Sequence, residues 1–344
     1  MNVSKSGRLY VIGVDEAGYG PNLGPLAIGA SIWQVPIAMD LTSFAPQLEP
    51  FFQAKRWPGS DREPFVPLGD SKQLYQSGGS TESLEIGVIS LLQNARNFTA
   101  TLTPCLWSKL LQHCDCLKLQ PAVHRELLPW YAELTAMPSM PWQDAAMMFA
   151  GMAKQGLNNL EIVFEGFQAR LVDEVLFNQG LKQYGSKGKL LSLTTLQLVK
   201  DAMECLSMRD VVGIEIYCDR HGGRSKYLEL LHTLFDDLFF WIESEESHES
   251  CYRAEWKGCP LRIRFTVGGD RFPPTSAASM IAKWLREVSM DHFNAFWQQQ
   301  IGSLLKPTAG YPVDAKRFIH DLKAAKAWNN SQSLPALETI WRQA

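Results

Sequence analysis

The chain has 344 residues, 46% hydrophobic and 20% charged, with a formal net charge of -3. That length and balance exclude a disordered chain and provide for a large core in one large domain or two ordinary ones. The weak negative charge excludes bulk attraction to a polyanion, so a nucleic-acid partner would need a local basic patch or bound metal.

Cys105, Cys114, Cys116, Cys205, Cys218, Cys251 and Cys259 are odd in number and scattered, which in a chain of this size reads as reduced thiols. His113-Cys114-Asp115-Cys116 has the form of half a zinc site, but no second well-spaced Cys/His pair completes four ligands. The first apolar run ends on Asp15-Glu16 instead of a small-residue cleavage site, and no run is long and apolar enough to span a bilayer. The expectation is a soluble, cytoplasmic monomer with no membrane partner.

In chain order, Arg8–Asp15 (RLYVIGVD) and Leu26–Trp33 (LAIGASIW) are apolar runs of strand length, joined by the Gly/Pro/Asn-rich Gly18–Pro25 in a hairpin-like connection. Leu84–Ala95 has apolar residues close to the helical period. Residues 115–160 read as helical and Trp/Met-rich, broken at Pro121, Pro129, Pro138 and Pro141, and suggest an inserted helical lobe; the Trp and Met residues of 107–152 read as core. Leu160–Glu165 reads as a strand, and Leu190–Leu206 as an amphipathic helix after the YGSKGK loop. Val211–Cys218 is a third convincing strand ending on Asp219. Leu261–Val267 alternates apolar with basic residues, as a half-exposed strand does, and ends in Gly268-Gly269-Asp270. Thr275 or Ser276 is the expected N-cap of a helix reaching about Trp297, and Val313–Ala327 forms a last one. Strands interleaved with helices define an α/β chain built on a mixed sheet.

Asp15, Glu16, Asp219 and Asp270 each sit at or just beyond a strand end beside glycine, where open α/β sheets place their ligand crevice. Carboxylates gathered there repel one another and raise each other's pKa values, a cost that a divalent cation removes. Hard oxygen donors suit Mg²⁺ or Mn²⁺, and two such ions about 3.5 to 4 Å apart activate a water and stabilise the leaving oxygen in phosphodiester hydrolysis.

The segment DEAGYGPNLGP resembles the opening motif of the type 2 ribonuclease H (ribonuclease HII) family, Asp-Glu-Ala-Gly-Arg-Gly-Pro followed closely by Gly-Pro. LGDSKQL at 68–74 is similar to the family's Asp-Ser-Lys-Lys-Leu segment, and IYCDRHGG occupies the place of its strand-end Val-Asp-Gly. GGDRFPPTSAASMIAK resembles Gly-Asp-x-Lys followed by Ala-Ala-Ser-x-x-Ala-Lys, and AGYPVDAKRF the late Gly-Tyr segment. The five run in family order from residue 8 to about 320.

The resemblance implies a ribonuclease H-like mixed sheet flanked by helices, with a helical insertion at about 115–185. The catalytic domain would cover 1–300, and a C-terminal helical region 301–344. It implies that Asp15, Glu16, Asp219 and Asp270 are both the catalytic and the metal-binding residues of a two-metal Mg²⁺ or Mn²⁺ endoribonuclease. The implied reaction cleaves the RNA strand of RNA/DNA hybrids, or at a ribonucleotide in DNA, leaving a 3′-hydroxyl and a 5′-phosphate. The Gly18-Tyr19-Gly20 backbone would approach the ribose 2′-hydroxyl, Lys72 a phosphate, and Tyr311 a sugar or base at the junction.

Several positions depart from the family pattern. Tyr19 stands in the place of the motif arginine, Phe272 in that of the Gly-Asp-x-Lys lysine, and Asp219 and Asp270 are 51 positions apart. Arg220, His221 and Arg224 beside Asp219 suggest a phosphate clamp or an acid for the leaving group, against the alternative of a glycine turn with solvated charges and a buried histidine. Arg262, Arg264 and Arg271 suggest an extension of that patch along the strand, against the commoner alternative of a solvated face; Glu165 reads as structural, and Ser279 is a minor site candidate. The Gly185–Lys189 loop fails the phosphate-binding P-loop pattern, because no glycine precedes at the required spacing and Leu190 occupies the Ser/Thr place; it remains a candidate mobile basic loop. Two alternatives stay open: a nuclease of this fold acting on another structured DNA or RNA, and a non-catalytic nucleic-acid- or protein-binding module.

Overall fold

The computed structural model describes residues 7–58, 63–76, 78–98, 117–120, 124, 126–132, 143–325 and 334–343. The half zinc motif at 113–116 lies outside them, as does most of the Trp/Met-rich stretch before residue 143.

The described residues form ten strands: β1 (Arg8–Ala17), β2 (Leu26–Pro36), β3 (Phe52–Gln53), β4 (Val66–Pro67), β5 (Leu117–Gln120), β6 (Val163–Val172), β7 (Val211–Asp219), β8 (Trp241–Glu245), β9 (Glu249–Trp256) and β10 (Cys259–Thr266). Eight form one sheet in the order β5-β6-β2-β1-β7-β10-β9-β8, and β3 pairs with β4. β2 runs antiparallel to β1 and β6, whereas β7 runs parallel to β1 and β10. The sheet is therefore mixed, and the parallel trio brings the ends of β1, β7 and β10 to one edge of the molecule.

β1 is apolar from Leu9 to Val14 because it is covered on both faces. Its alternation sends Tyr10, Ile12 and Val14 into one core and Val11 into the other. The helices used below are α1 (Ser71–Leu74), α2 (Glu82–Gln93), α3 (Gln143–Asn159), α4 (Glu174–Tyr184), α5 (Lys187–Glu204), α6 (Pro273–Ile301) and α7 (Pro312–Ala324). Apolar residues of α2, α3 and α6 fill the core on the Val11 side, and those of α5 the core on the other. The protein has the expected α/β architecture, a mixed sheet flanked by helices.

The structure differs from the sequence reading in several places. Among the described residues of 115–160, Gln143–Asn159 is an α-helix and Pro129–Tyr131 a short 3-10 turn, while Leu117–Gln120 pairs in parallel with β6. β6 does not stop at Glu165 but continues through Gly166 to Val172, with a register shift opposite Ile32 and Trp33, so the segment expected as an insertion supplies a sheet strand next to β2. Thr275 and Ser276 do not cap α6; Pro273 and Pro274 are its first two residues, where proline's fixed φ and missing N–H are no loss. The YGSKGK stretch is not a mobile loop but a corner between two helices. Gly185, with φ +77°, ends α4 in the left-handed region. Ser186 then caps α5 by accepting from the Lys189 amide at 3.2 Å. Within 301–344, Phe318, Leu322 and Ile340 are buried in the same core as α6.

Candidate active site

Asp15 and Glu16 are residues of β1, not of the turn after it. Alternation turns Asp15 toward α6, where Ser279 is near enough to favour its charged form while donating Oγ to Ser71 at 2.9 Å, and the carboxylate accepts from the Glu16 amide at 2.8 Å. Asp219 ends β7, next to β1, and accepts from the Gly269 amide at 2.9 Å. That bond links it to the short turn Gly269–Arg271, entered through Gly268 at φ +67°, which carries Asp270. Ser276 Oγ of α6 holds this turn by donating to the Asp270 carbonyl at 2.6 Å. Asp70 caps α1 by accepting from the Lys72 amide at 2.9 Å, and Lys72 Nζ reaches to 3.6 Å from Asp270 Oδ2.

The four predicted acids act on one another electrostatically. Burial, then the charges of Glu16 and Asp219, hold the Asp15 carboxyl well above the ordinary carboxylate range. Burial and the Asp219 charge push Glu16 to about 7. Asp219 is raised by burial and by Asp270, and Asp270 by burial and by Asp70. Burial lowers Lys72, but the carboxylates of Asp70, Asp270, Asp15 and Asp219 outweigh it and raise the ammonium. Lys72 and Arg271 are the cations that offset this charge at Asp270.

Such a set of hard oxygen donors, mutually repelling and short of cations, fits a divalent ion. Among the described residues no three carboxylate, histidine or cysteine side chains are already gathered as ligands of one ion. Of the four acids, Asp270 lines a cavity of about 350 Å³, whose other polar residues include Glu49, Lys55, Asp70, Gln73 and Arg271.

The glycine-rich loop splits into structural and open positions. Gly18 has φ +86°, and a Cβ there would lie 2.5 Å from both Arg286 Nε and the Pro25 carbonyl, so its glycine is required by the fold. Gly20 is exposed, and a Cβ on it would meet nothing within 4 Å. Tyr19 packs beside the first turn of α5, with Lys187 Nζ 5.7 Å from its ring centroid, and is raised by burial and by Glu16 while Arg224 lowers it. Tyr311 is exposed, with the Arg286 guanidinium 5.8 Å from its ring centroid, and follows Gly310, whose carbonyl accepts from the Asn22 and Leu23 amides. Gly18, Tyr19, Gly20 and Tyr311 thus belong to one loop cluster, with Arg224 within electrostatic reach of Tyr19.

No family model matches the chain, and no curated protein is similar to it. Among solved structures, it is similar to the ribonuclease H2 of Pyrococcus horikoshii OT3, at 16% identity over 96% of this chain and 95% of that one, TM-score 0.39. It is also similar to the RNase HII of Archaeoglobus fulgidus, solved in a complex with PCNA, at 10% identity over 97% and 96%, TM-score 0.39. Bst-RNase HIII, solved with Mn²⁺, is similar at 16% identity over 97% of this chain and 69% of that one, TM-score 0.36.

Other sequence candidates resolve differently. His221 is buried and held neutral, pushed down to about 3 by burial and by Arg224, with Nδ1 3.0 Å from Ser192 Oγ. Arg220 donates to the carbonyls of Ser247 and Glu246, tying β7 to the β8–β9 hairpin. Arg262 pairs with Glu243 and Glu215, and Arg264 with Glu215, so neither is a free phosphate contact. Phe272 stacks against Tyr217 at 4.2 Å between centroids and meets Phe44 at 5.7 Å. An apolar contact therefore occupies the lysine's place in the motif.

The sequence reading missed Asp70, although it lies inside the quoted LGDSKQL, and it missed Glu174 and Arg342. Glu174 is fully buried, pushed up to about 7 by burial, accepts from the Gly24 amide at 3.1 Å and from the Tyr131 hydroxyl at 3.0 Å. No local pattern marks a residue whose partner is 150 positions away.

Proposed function

We propose that the protein is a divalent-metal-dependent endonuclease of the ribonuclease H type, acting on the RNA strand of RNA/DNA hybrids or at ribonucleotides embedded in DNA. The observation that carries this reading is the electrostatic coupling of Asp15, Glu16, Asp219 and Asp270, which come from three neighbouring strand ends. Mg²⁺ or Mn²⁺ bound there would supply charge neutralisation and Lewis acidity for hydrolysis to a 3′-hydroxyl and a 5′-phosphate.

The chain's own residues do the rest. Asp15 and Asp270 would flank the ions, and Glu16 and Asp219 would complete the donor set. The Gly269 amide, donating to Asp219, would hold that carboxylate in the donor set. Lys72, exposed and next to Asp270, is suited to a phosphate flanking the scissile bond. Gly20 offers an open backbone approach for a ribose, with Tyr19, Gly18, Arg224 and Tyr311 around it.

The test is cleavage, with Mg²⁺ and with Mn²⁺, of a uniform hybrid, a duplex carrying one ribonucleotide, and an all-DNA junction. Cleavage of either ribonucleotide-containing substrate with loss in Asp15→Asn supports the reading. Cleavage of the all-DNA junction alone supports the rival substrate, which Tyr19 against α5 and Phe272 in the apolar core favour. No cleavage and no metal binding support the non-catalytic module.

A further inference from the structure

Arg342 comes from a segment far from the acids in sequence, yet its side chain is 1% exposed and ends inside the glycine-rich loop. Its Nη1 donates to the Gly18 carbonyl at 2.7 Å and to the Gly24 carbonyl at 3.2 Å, and Nη2 donates to the Tyr19 carbonyl at 3.2 Å. One rigid guanidinium therefore grips both ends of the loop, a fork that lysine cannot reproduce.

The group is itself held in place. The Arg342 amide donates to the Asn22 carbonyl at 2.8 Å, and Asn22 Nδ2 returns a bond to the Arg342 carbonyl at 3.0 Å. On the flanking residues, Asn178 of α4 accepts from the Gln343 amide and donates to the Trp341 carbonyl. The guanidinium lies 3.8 Å from the Phe177 ring centroid. Burial and the neighbouring Arg286 oppose the charge, while Glu174 favours it. A buried cation kept against that opposition, with both terminal nitrogens on three loop carbonyls while its Nε has no partner, has a directional task.

That task follows from peptide geometry. No peptide in the described chain is cis, so a carbonyl and the next N–H point opposite ways. With the Gly18 and Tyr19 carbonyls turned in to Arg342, the amides of Tyr19 and Gly20 are turned away from it. We propose that Arg342 is a positioning residue for nucleic-acid binding, setting the peptide planes of Gly18-Tyr19-Gly20 that meet the ribose-bearing strand without touching the reacting atoms. The inference rests on the substrate reading above.

The experiment compares the parent chain with Arg342→Ala, Arg342→Ala plus millimolar guanidinium, and Arg342→Lys. Steady-state cleavage of the hybrid, calorimetric Mn²⁺ binding and amide exchange of residues 19–24 are measured on each. Arg342→Ala is expected to raise KM about tenfold or more, with kcat and Mn²⁺ affinity within about twofold of the parent. Exchange at 19–24 should accelerate while β1 stays protected, guanidinium should restore both readouts, and Arg342→Lys should restore them only in part. Unchanged KM and exchange in a folded Arg342→Ala overturn the inference, and so does parallel loss of kcat, metal affinity and KM without rescue. Should the parent chain not cleave hybrid, the substrate reading falls by itself; guanidinium-dependent exchange at 19–24 still decides whether Arg342 sets the loop.

Discussion

Replacing Gly13 by alanine should lift α6 off β1 and separate the two halves of the acid cluster. A Cβ at Gly13 would lie 2.0 Å from the Pro274 carbonyl carbon, 2.2 Å from its oxygen and 2.2 Å from the Thr275 nitrogen. Ordinary contact begins near 3.5 Å, so the helix end must move by about 1.5 Å. These are backbone atoms that no rotamer change can clear. They are also anchored: Ser31 Oγ donates to the Pro274 carbonyl at 2.6 Å, and Thr275 Oγ1 to the Tyr217 carbonyl at 3.3 Å. Overpacking of this kind costs about 1 to 3 kcal/mol, and loss of the buried Ser31 bond about 1 more. A total of about 3 kcal/mol lowers Tm by roughly 4 °C in a chain of 344 residues, at about 2.1 cal/mol/K of unfolding entropy per residue. The same displacement moves Ser279 from Asp15 and shifts the turn bearing Asp270, and a misplacement of about 1 Å lowers turnover about 100-fold. Differential scanning calorimetry and cleavage at saturating Mn²⁺ measure the two effects. A Gly13→Ala protein with parental Tm and turnover would refute the seating of α6 on β1.

Gly20→Ala, by contrast, meets open space and should leave Tm unchanged within about 1 °C. It should nonetheless raise KM for hybrid, and parental KM would remove the loop from the substrate path. Asp15→Asn should lower cleavage about 1000-fold or more while raising the metal-free Tm above pH 7, since it removes a buried charge; a lower Tm at that pH contradicts the repulsion described here. Glu174 titrates near 7 in the fold and near 4.5 when unfolded. The folded state therefore holds the extra proton in that window, and stability falls as pH rises from about 4.5 to about 7, by up to about 3 kcal/mol. Glu174→Gln, which keeps an acceptor for the Gly24 amide, should flatten that slope in denaturant titrations at several pH values. A slope equal to the parent's contradicts the assignment.

The strands that carry the acids were legible because burial on both faces writes itself as unbroken apolar runs, as in RLYVIGVD and VVGIEIYC. β8 and β9 were not, since Trp241–Glu245 and Glu249–Trp256 mix Glu and Arg with apolar residues at a sheet edge exposed on one side. β6 was cut short because Gly166 and the polar Gln168 and Arg170 interrupt the pattern, although Gln168 is buried beside β2. The acids were legible from local motifs. The supports of the glycine-rich loop were not: the Glu174, Arg286 and Arg342 contacts join segments that only the folded chain brings together, and a lone charged residue carries no local sign of burial. Arg262 and Arg264 show the reverse error, where alternating basic residues that suggest a patch are paired with Glu215 and Glu243 across neighbouring strands.

The central claim is that Asp15, Glu16, Asp219 and Asp270 jointly hold divalent cations. Anomalous diffraction from crystals soaked in Mn²⁺ tests it most directly. One or two peaks within ligating distance of these four carboxylates are predicted; a soaked crystal with no peak among them, or with its Mn²⁺ elsewhere on the protein, contradicts the account.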